Sequence, residues 1–271
     1  MFSRLKPKDV DFYVNSTQVH AVQEIKASYD LPVDHIKFLG MNSSYFTPDK
    51  NALLSITSLL NSSNSFLNFT GDSGVYGFLM KKSQGTVSSQ SLYGFNSGYM
   101  TNYTLSCQVG DVPRVQTDFI VLTDAGGIQP FGTFNQTPVP ALANSNSIEV
   151  SIGSVKINRI SSLSLSLSIP RLPIYYLGNV VPSFVKSIYP IQLECSFVLQ
   201  QDQYNLQSLS VLPFNFNDES AFSIRLNDVN GIPVNFDFNN KLSYLVNESE
   251  NFSAAVGNPL GVTVRYKGFL K

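Results

Sequence analysis

The chain has 271 residues, of which 43% are apolar and 14% charged, so it can bury one large or two small cores and is not disordered. Its 18 Lys and Arg nearly balance 19 Asp and Glu, which gives a formal charge of −1. This balance excludes strong binding to nucleic acid or to an anionic membrane through a basic surface, because both need a surplus of positive charge.

The N-terminal residues do not predict a secretory signal, because no apolar stretch follows the charged residues of 1–11. The first predicted element is a β-hairpin, in which an alternating segment, 10–14, turns at Asn15-Ser16 into a longer alternating segment that ends near Leu31. Period two places the polar residues of the longer segment on one face of a strand. These residues are Glu24, Lys26, Ser28 and Asp30.

The same pattern returns 138 positions later along the chain. Residues 9–40 align without a gap on residues 147–178, with six identities, and the apolar positions keep their phase. The sequence therefore predicts an internal duplication. The second copy of the long strand has a polar face of serines, Ser162, Ser164, Ser166 and Ser168, and an apolar face of leucines and isoleucine.

Later segments extend the repeat. Predicted strand pairs at 104–121 and 251–269 match at a shift of 147 positions and turn near Gly110 and Gly257. The larger shift places eight or nine additional residues in the second copy, mostly within 199–221, where a short helix at 202–209 is predicted.

Two regions of the sequence require an assignment of structure type. Thr47-Pro48 has the form of a helix start, but the counterpart of this region, 190–199, alternates, so a strand is predicted after residue 47. Residues 124–146 are rich in Pro, Gly and Asn and indicate a linker. The predicted domains are therefore 1–123 and 147–271, joined by that linker.

No catalytic, cofactor-binding or metal site is predicted. The two histidines, His20 and His35, and the two cysteines, Cys107 and Cys195, do not have the spacing of zinc ligands, and no phosphate-binding or nucleophile motif occurs. Both cysteines lie in alternating segments and are interpreted as reduced core thiols. We therefore expect neither an enzyme nor a cofactor.

Short motifs in the two copies resemble those of tail tube proteins of long-tailed bacteriophages. Leu105–Pro113 is similar to Phe252–Asn258, and a Pro-x-x-x-Ile-x-x-Leu-Gly motif begins at both Pro32 and Pro170. The resemblance implies an all-β fold of two tandem β-sandwich or barrel domains, each contributing long strands to a β-barrel shared by several subunits. Most family members carry one domain and form hexameric rings, so two domains imply a homotrimer with pseudo-sixfold symmetry.

The resemblance also implies a function and partners. The chain would be the major subunit of a tail tube, a virion protein that assembles in the host cytoplasm into rings stacked around a DNA-conducting lumen. Its partners would be further copies of itself, the sheath or baseplate, the tail terminator and the tape measure, with DNA in the lumen only transiently and no membrane.

The polar faces of the two long strands would line that lumen. They would present a nearly neutral surface that does not bind DNA strongly. The lumen-lining candidates are Glu24, Lys26, Ser28, Asp30, Ser162, Ser164, Ser166 and Ser168. For the contact between rings, the linker and the basic N-terminal arm with Arg4, Lys6 and Lys8 are expected.

Two alternatives stay open from the sequence. A baseplate hub or tail-completion ring can also be built from two tube-like domains, but it forms one ring rather than many. A tandem β-sandwich adhesin or carbohydrate-binding module would expose an aromatic platform, and the chain contains no Trp.

Overall fold

The computed structural model describes residues 10–30, 34–36, 44–46, 51–63, 66–83, 86–123, 125–127, 137–153, 155–158, 160–177, 179, 181–200, 215–217, 221–239, 241–253 and 261–271. The fold is all β, as predicted. Within these ranges, one helical segment occurs, a 3-10 helix at Phe66–Phe69. The predicted helix at 202–209 and the N-terminal arm lie outside the described residues.

Ten strands precede residue 127. They are β1 Val10–Val14, β2 Thr17–Val19, β3 Val22–Asp30, β4 Asp34–Ile36, β5 Ser44–Phe46, β6 Asn51–Leu59, β7 Val75–Ser83, β8 Thr86–Gln108, β9 Arg114–Val121 and β10 Ala125–Gly126. The strand predicted after residue 47 is confirmed as β6. The 23-residue β8 was not predicted as one strand, because its Gly and Ser residues interrupt the alternation of apolar positions.

Eleven strands follow in the second half. They are β11 Ala143–Ile152, β12 Val155–Ile157, β13 Ile160–Ser168, β14 Arg171–Ile174, β15 Phe184–Ser187, β16 Ile191–Gln200, β17 Asn215–Asn217, β18 Phe222–Asp228, β19 Pro233–Asp237, β20 Leu242–Ser253 and β21 Gly261–Leu270. Strand β11 begins inside the predicted linker, because residues 143 and 144 already pair with β18 before a bulge.

An antiparallel sheet of eight strands runs through both halves, in the order β3-β6-β9-β8-β13-β16-β21-β20. We call it the eight-stranded sheet. Its centre is the pairing of β8 with β13, where Leu105 lies opposite Leu165. The two halves of the chain are therefore joined edge to edge.

A four-stranded cover sheet packs on the apolar face of each half. The first has the order β2-β1-β7-β8, using the N-terminal part of β8, and the second has the order β12-β11-β18-β19. Phe95 of the first lies 6.3 Å from Phe119, and Phe236 of the second lies 6.4 Å from Tyr103, between ring centroids. One continuous core results, because both cover sheets bury apolar side chains against the same sheet.

The two halves have the same strand order in both layers, and even their irregularities correspond. The β3–β6 pairing has a bulge at Gln23 and the β13–β16 pairing has one at Ser161, 138 positions apart. The β8–β9 pairing has a bulge at Thr101 and the β20–β21 pairing has one at Glu248, 147 positions apart. The two spacings equal the two shifts of the sequence repeat and therefore support the predicted duplication. That the two halves arose by duplication stays a prediction.

Candidate functional site

The most extensive polar surface is one face of the eight-stranded sheet, which we call the polar face. Cα partners in an antiparallel sheet point their side chains to the same side. One such row can be followed across seven strands: Glu24, Thr57, Gln116, Thr104, Ser166, Glu194 and Lys267. The row joins the long strand of the first half to that of the second half.

All eight residues predicted for the lumen occupy register positions of this face. Ser162, Ser164, Ser166 and Ser168 are exposed or half-buried, whereas Leu163, Leu165 and Leu167 between them are buried. Glu24, Lys26 and Ser28 are exposed, and Asp30 lies opposite Asn51 in the β3–β6 ladder. The structure thus brings the candidates onto one surface, and their position in a lumen stays a prediction.

Sequence reasoning named only two of the eight strands that form the polar face. Further charged members, which the register and an ion pair reveal, are Arg114, Asp118, Glu194, Glu248, Arg265 and Lys267. Their strands alternate as well, so alternation combined with the repeat was the signal that would have found them.

The charges on the polar face compensate one another. Lys26 forms an ion pair with Glu24 at 2.8 Å, and Arg265 lies 3.9 Å from Glu248. The Asp118 carboxylate accepts hydrogen bonds from the Asn102 amide and the Gln116 amide, each at 3.2 Å. Four basic and five acidic residues, counting Asp30, hold register positions of this face. The face therefore attracts polyanions weakly.

The junction between the two halves is closed by backbone pairing and by apolar packing. Seven Cα pairs connect β8 to β13, and the amide of Val109 continues the ladder to the Ser161 carbonyl at 2.9 Å. Leu165 and Leu167 are at most 1% exposed at this junction. The apolar side of the junction is therefore as inaccessible to solvent as the interior of either half.

Strand β3 is the counterpart of β13 in the repeat, but no described strand covers its outer edge. Tyr29, which corresponds to Leu167, is 50% exposed, and Ala27, which corresponds to Leu165, is also exposed. A groove of about 580 Å³ lies beside this edge and includes Val19, Val22 and Ile25 among its walls. The first half therefore leaves open the surface that the second half has closed.

The opposite edge of the sheet is β20, the counterpart of the C-terminal part of β8. Its residues 244–246 pair with β17, while residues 248–253 pair with no further described strand on that side. An unpaired edge exposes backbone donors and acceptors that a further strand can satisfy. Within the part of the chain that the structure describes, the eight-stranded sheet thus ends in an uncovered edge at β3 and a partly covered edge at β20.

A buried arginine fastens the β14–β15 hairpin of the second half to the first half. Arg171, whose side chain is 2% exposed, donates through Nε to the Met100 carbonyl at 2.8 Å and through Nη1 to the Gly71 carbonyl at 2.9 Å. Asp72, 3.5 Å from Arg171, accepts hydrogen bonds from the amide and hydroxyl of Ser187. These hydrogen bonds lower the pKa of Asp72. Sequence reasoning did not identify this contact.

Three of the residues considered for chemistry are buried side chains of the core or its margin. His20 is buried and its Nε2 lies 2.7 Å from Thr137 Oγ1. Cys107 and Cys195 are free and buried, as predicted, and burial raises the pKa of Cys107 to about 12. In the part of the chain that the structure describes, no three potential metal ligands cluster. Helices able to cross a bilayer are likewise not found among those residues.

No protein-family model and no curated protein matches the sequence.

Proposed function

We propose that the chain is the structural, non-catalytic subunit of a bacteriophage tail tube, a virion protein. Three copies close into a ring, the rings stack, and the polar faces line a lumen through which DNA passes into the host. The observation that carries the proposal is the β8–β13 junction. It joins β8, at the edge of the first half of the sheet, to β13, at the edge of the second half, and among the described strands none pairs with the equivalent outer edge of β3 or with residues 248–253 of β20 on their outer side.

The same pairing can be repeated between neighbouring chains. A shift of 138 maps Ser166 onto Ser28, and a shift of 147 maps Thr104 onto Asn251. Because Ser166 and Thr104 are partners within the chain, Ser28 of one chain would pair with Asn251 of its neighbour. This contact is heterologous, and a threefold rotation closes it into a ring that has no free edge.

The dimensions and charge of such a ring suit DNA passage. Three eight-stranded sheets supply 24 strands. At the usual strand spacing and tilt, they close into a barrel about 50 Å across at the backbone, which is wide enough for a duplex. Balanced charges and short hydroxyl groups on the polar face would bind phosphate weakly, so DNA would move rather than adhere.

Cysteine crosslinking tests the proposed pairing. We expect Ser28→Cys combined with Asn251→Cys, treated with a short bismaleimide at a protein concentration that yields rings, to give covalent dimers and closed trimers on a denaturing gel. Each single variant should give no trimer. The natural thiols supply little background because both are buried and the pKa of Cys107 is raised to about 12.

A pair shifted along the strand is the matched control. Glu24→Cys with Asn251→Cys moves one thiol by four residues, which is roughly 13 Å along a strand, beyond the reach of the crosslinker. Equal crosslinking of the shifted pair, or rings that contain no crosslink between residues 28 and 251, would contradict the proposed register. A protein that stays monomeric at every concentration would contradict the ring itself.

A hub or tail-completion ring would use the same edges, and it is distinguished by stopping at one ring when the purified protein is concentrated. The carbohydrate-binding alternative has one observation in its favour, since Tyr175, Tyr176 and Tyr189 are exposed. However, Tyr176 meets Phe184 at an interplanar angle of 70°, which is an edge contact and not a flat platform for a sugar ring. Binding to a glycan array by the monomer would favour this alternative.

A further inference from the structure

Exposed large apolar side chains are concentrated at the two ends of the eight-stranded sheet. Of the 17 that the described residues contain, eight lie between residues 172 and 189 and four lie at two turns on the opposite end. A monomer rarely exposes apolar side chains in such groups unless they contact something. The two groups therefore need an explanation that the closing of a ring does not supply.

The first group belongs to the β14–β15 hairpin, which leaves the sheet where β13 ends at Ser168. We call this end the hairpin rim. The group consists of Leu172, Tyr175, Tyr176, Leu177, Val181, Phe184, Ile188 and Tyr189. Leu177 is fully exposed, at 107% of its reference area. Arg171 holds the base of the hairpin against the first half, so the apolar side chains project from a fixed support.

The second group lies at the other end of the strands, which we call the turn rim. Val109 and Val112 belong to the turn between β8 and β9, and Val229 and Ile232 belong to the turn between β18 and β19. Backbone hydrogen bonds bring the two turns to the same end. The carbonyl of Leu142, which bridges to Asn61, accepts from the Val229 amide, and the amide of Leu60, next to Asn61, donates to the Pro113 carbonyl.

We propose that the hairpin of one ring docks on the turn rim of a second copy in the next ring, and that this contact stacks the rings. The inference rests on the proposed tube function. The occupant is a second copy because the chain carries two apolar groups at the two opposite ends of the eight-stranded sheet. Two different surfaces that meet head to tail produce an open-ended stack, whereas one self-complementary surface would stop at a pair of rings. The expected role of the N-terminal arm and linker in stacking stays untested.

Because the contact joins two different surfaces, each surface can be disrupted separately. Leu177→Asp removes the hairpin surface and Val229→Asp removes the turn surface, and both residues are too exposed for the changes to unfold the chain. We expect each variant to form single rings of wild-type mass but no tubes, as measured by sedimentation and negative-stain electron microscopy. Leu53→Asp is the control, because Leu53 is 58% exposed on the polar face and belongs to neither apolar group, so this variant should still form tubes.

Preformed rings of the two variants are then mixed. The intact hairpins of Val229→Asp rings should dock on the intact turn rims of Leu177→Asp rings, giving pairs of rings with twice the mass and nothing longer. Tubes from Leu177→Asp alone, or no pairs in the mixture, would overturn the stacking contact. Loss of the ring itself in Leu177→Asp would also overturn it, by placing the hairpin in ring closure. A wild-type chain that forms no rings would instead overturn the proposed function.

Discussion

Strands β13 and β3 occupy the same place in the two halves of the chain, but one is buried and the other is open. Leu167 of β13 is 1% exposed, while its counterpart Tyr29 of β3 is 50% exposed. The difference arises because β8 pairs with β13, whereas no described strand pairs with the outer edge of β3. The exposure of this surface therefore depends on whether a neighbouring strand pairs with it, and not on the strand's own alternation.

The residue types of the two strands agree with this difference. The buried copy presents serines on its polar face, while the open copy presents Glu24 and Lys26. Charged side chains on an exposed edge oppose unwanted pairing with other sheets. A tyrosine also suits this position better than a leucine would, because its hydroxyl can hydrogen-bond to the Tyr93 side chain. The residue types of β3 are therefore compatible with an edge that is exposed to solvent until a second chain pairs with it.

The largest expected effect comes from placing a charge at the two equivalent positions. Leu167→Asp buries a carboxylate in the closed junction and should destabilise the monomer by more than about 4 kcal/mol. Tyr29→Asp places the same carboxylate in water, so the free energy of unfolding should change by less than about 1 kcal/mol. Urea unfolding of the monomeric protein measures both values.

Assembly should respond in the opposite sense. Tyr29→Asp should form no rings although it is folded, because ring closure would bury the new charge. Asn235→Asp, exposed on β19 in the second cover sheet, is the control and should close rings normally. Normal rings from Tyr29→Asp would show that β3 is not the ring edge, and the comparison between β3 and β13 would lose its functional meaning.

Much of this arrangement could be predicted from the sequence, because strand alternation and the repeat are local signals. Alternation alone predicts that the serines of β13 and the polar residues of β3 lie on the solvent-facing side of their strands. The pairing of β8 with β13 could not be predicted, since alternation does not indicate which strands become neighbours. Arg171 was also missed. Its partners are carbonyl groups near residues 70 and 100, and backbone acceptors leave no signature in a sequence.

Arg171 provides the next test, because it strengthens only the closed junction. In the repeat its position is taken by Val33, so the open edge has no equivalent arginine in the sequence. Arg171→Ala should cost about 1–3 kcal/mol of monomer stability, because it removes the donor to the carbonyl of the buried Met100 and the bonds that join the hairpin to residues 69–71. Arg171→Lys should recover only part of this loss, since an ammonium group cannot reach several carbonyls from one planar fork. Urea unfolding gives the three free energies.

The control for this series is Arg225→Ala, which removes an exposed arginine from the second cover sheet and should change stability by about 0.5 kcal/mol or less. Full recovery by Lys would mean that charge and not the fork is what matters at the junction. Equal losses at 171 and 225 would mean that the arginine does not fasten the two halves together.

The smallest expected effect is the pH dependence of Asp72, the acceptor at the base of the hairpin. Its pKa is lowered, first by the hydrogen bond from the Ser187 hydroxyl and to a lesser extent by Arg171. A carboxyl whose pKa is lower in the folded state stabilises that state above its unfolded pKa, and this contribution is lost as the pH falls through the folded value. Wild type should therefore be slightly more stable than Asp72→Asn at pH 7, and the difference should shrink as the pH falls below about 4. Because the leading cause is a hydrogen bond, adding 0.5 M salt, about five times the ionic strength at which the Debye length is ~10 Å, should leave most of the difference in place. If salt removes it, the ion pair with Arg171 dominates, and the closed junction is held at this point by charge alone.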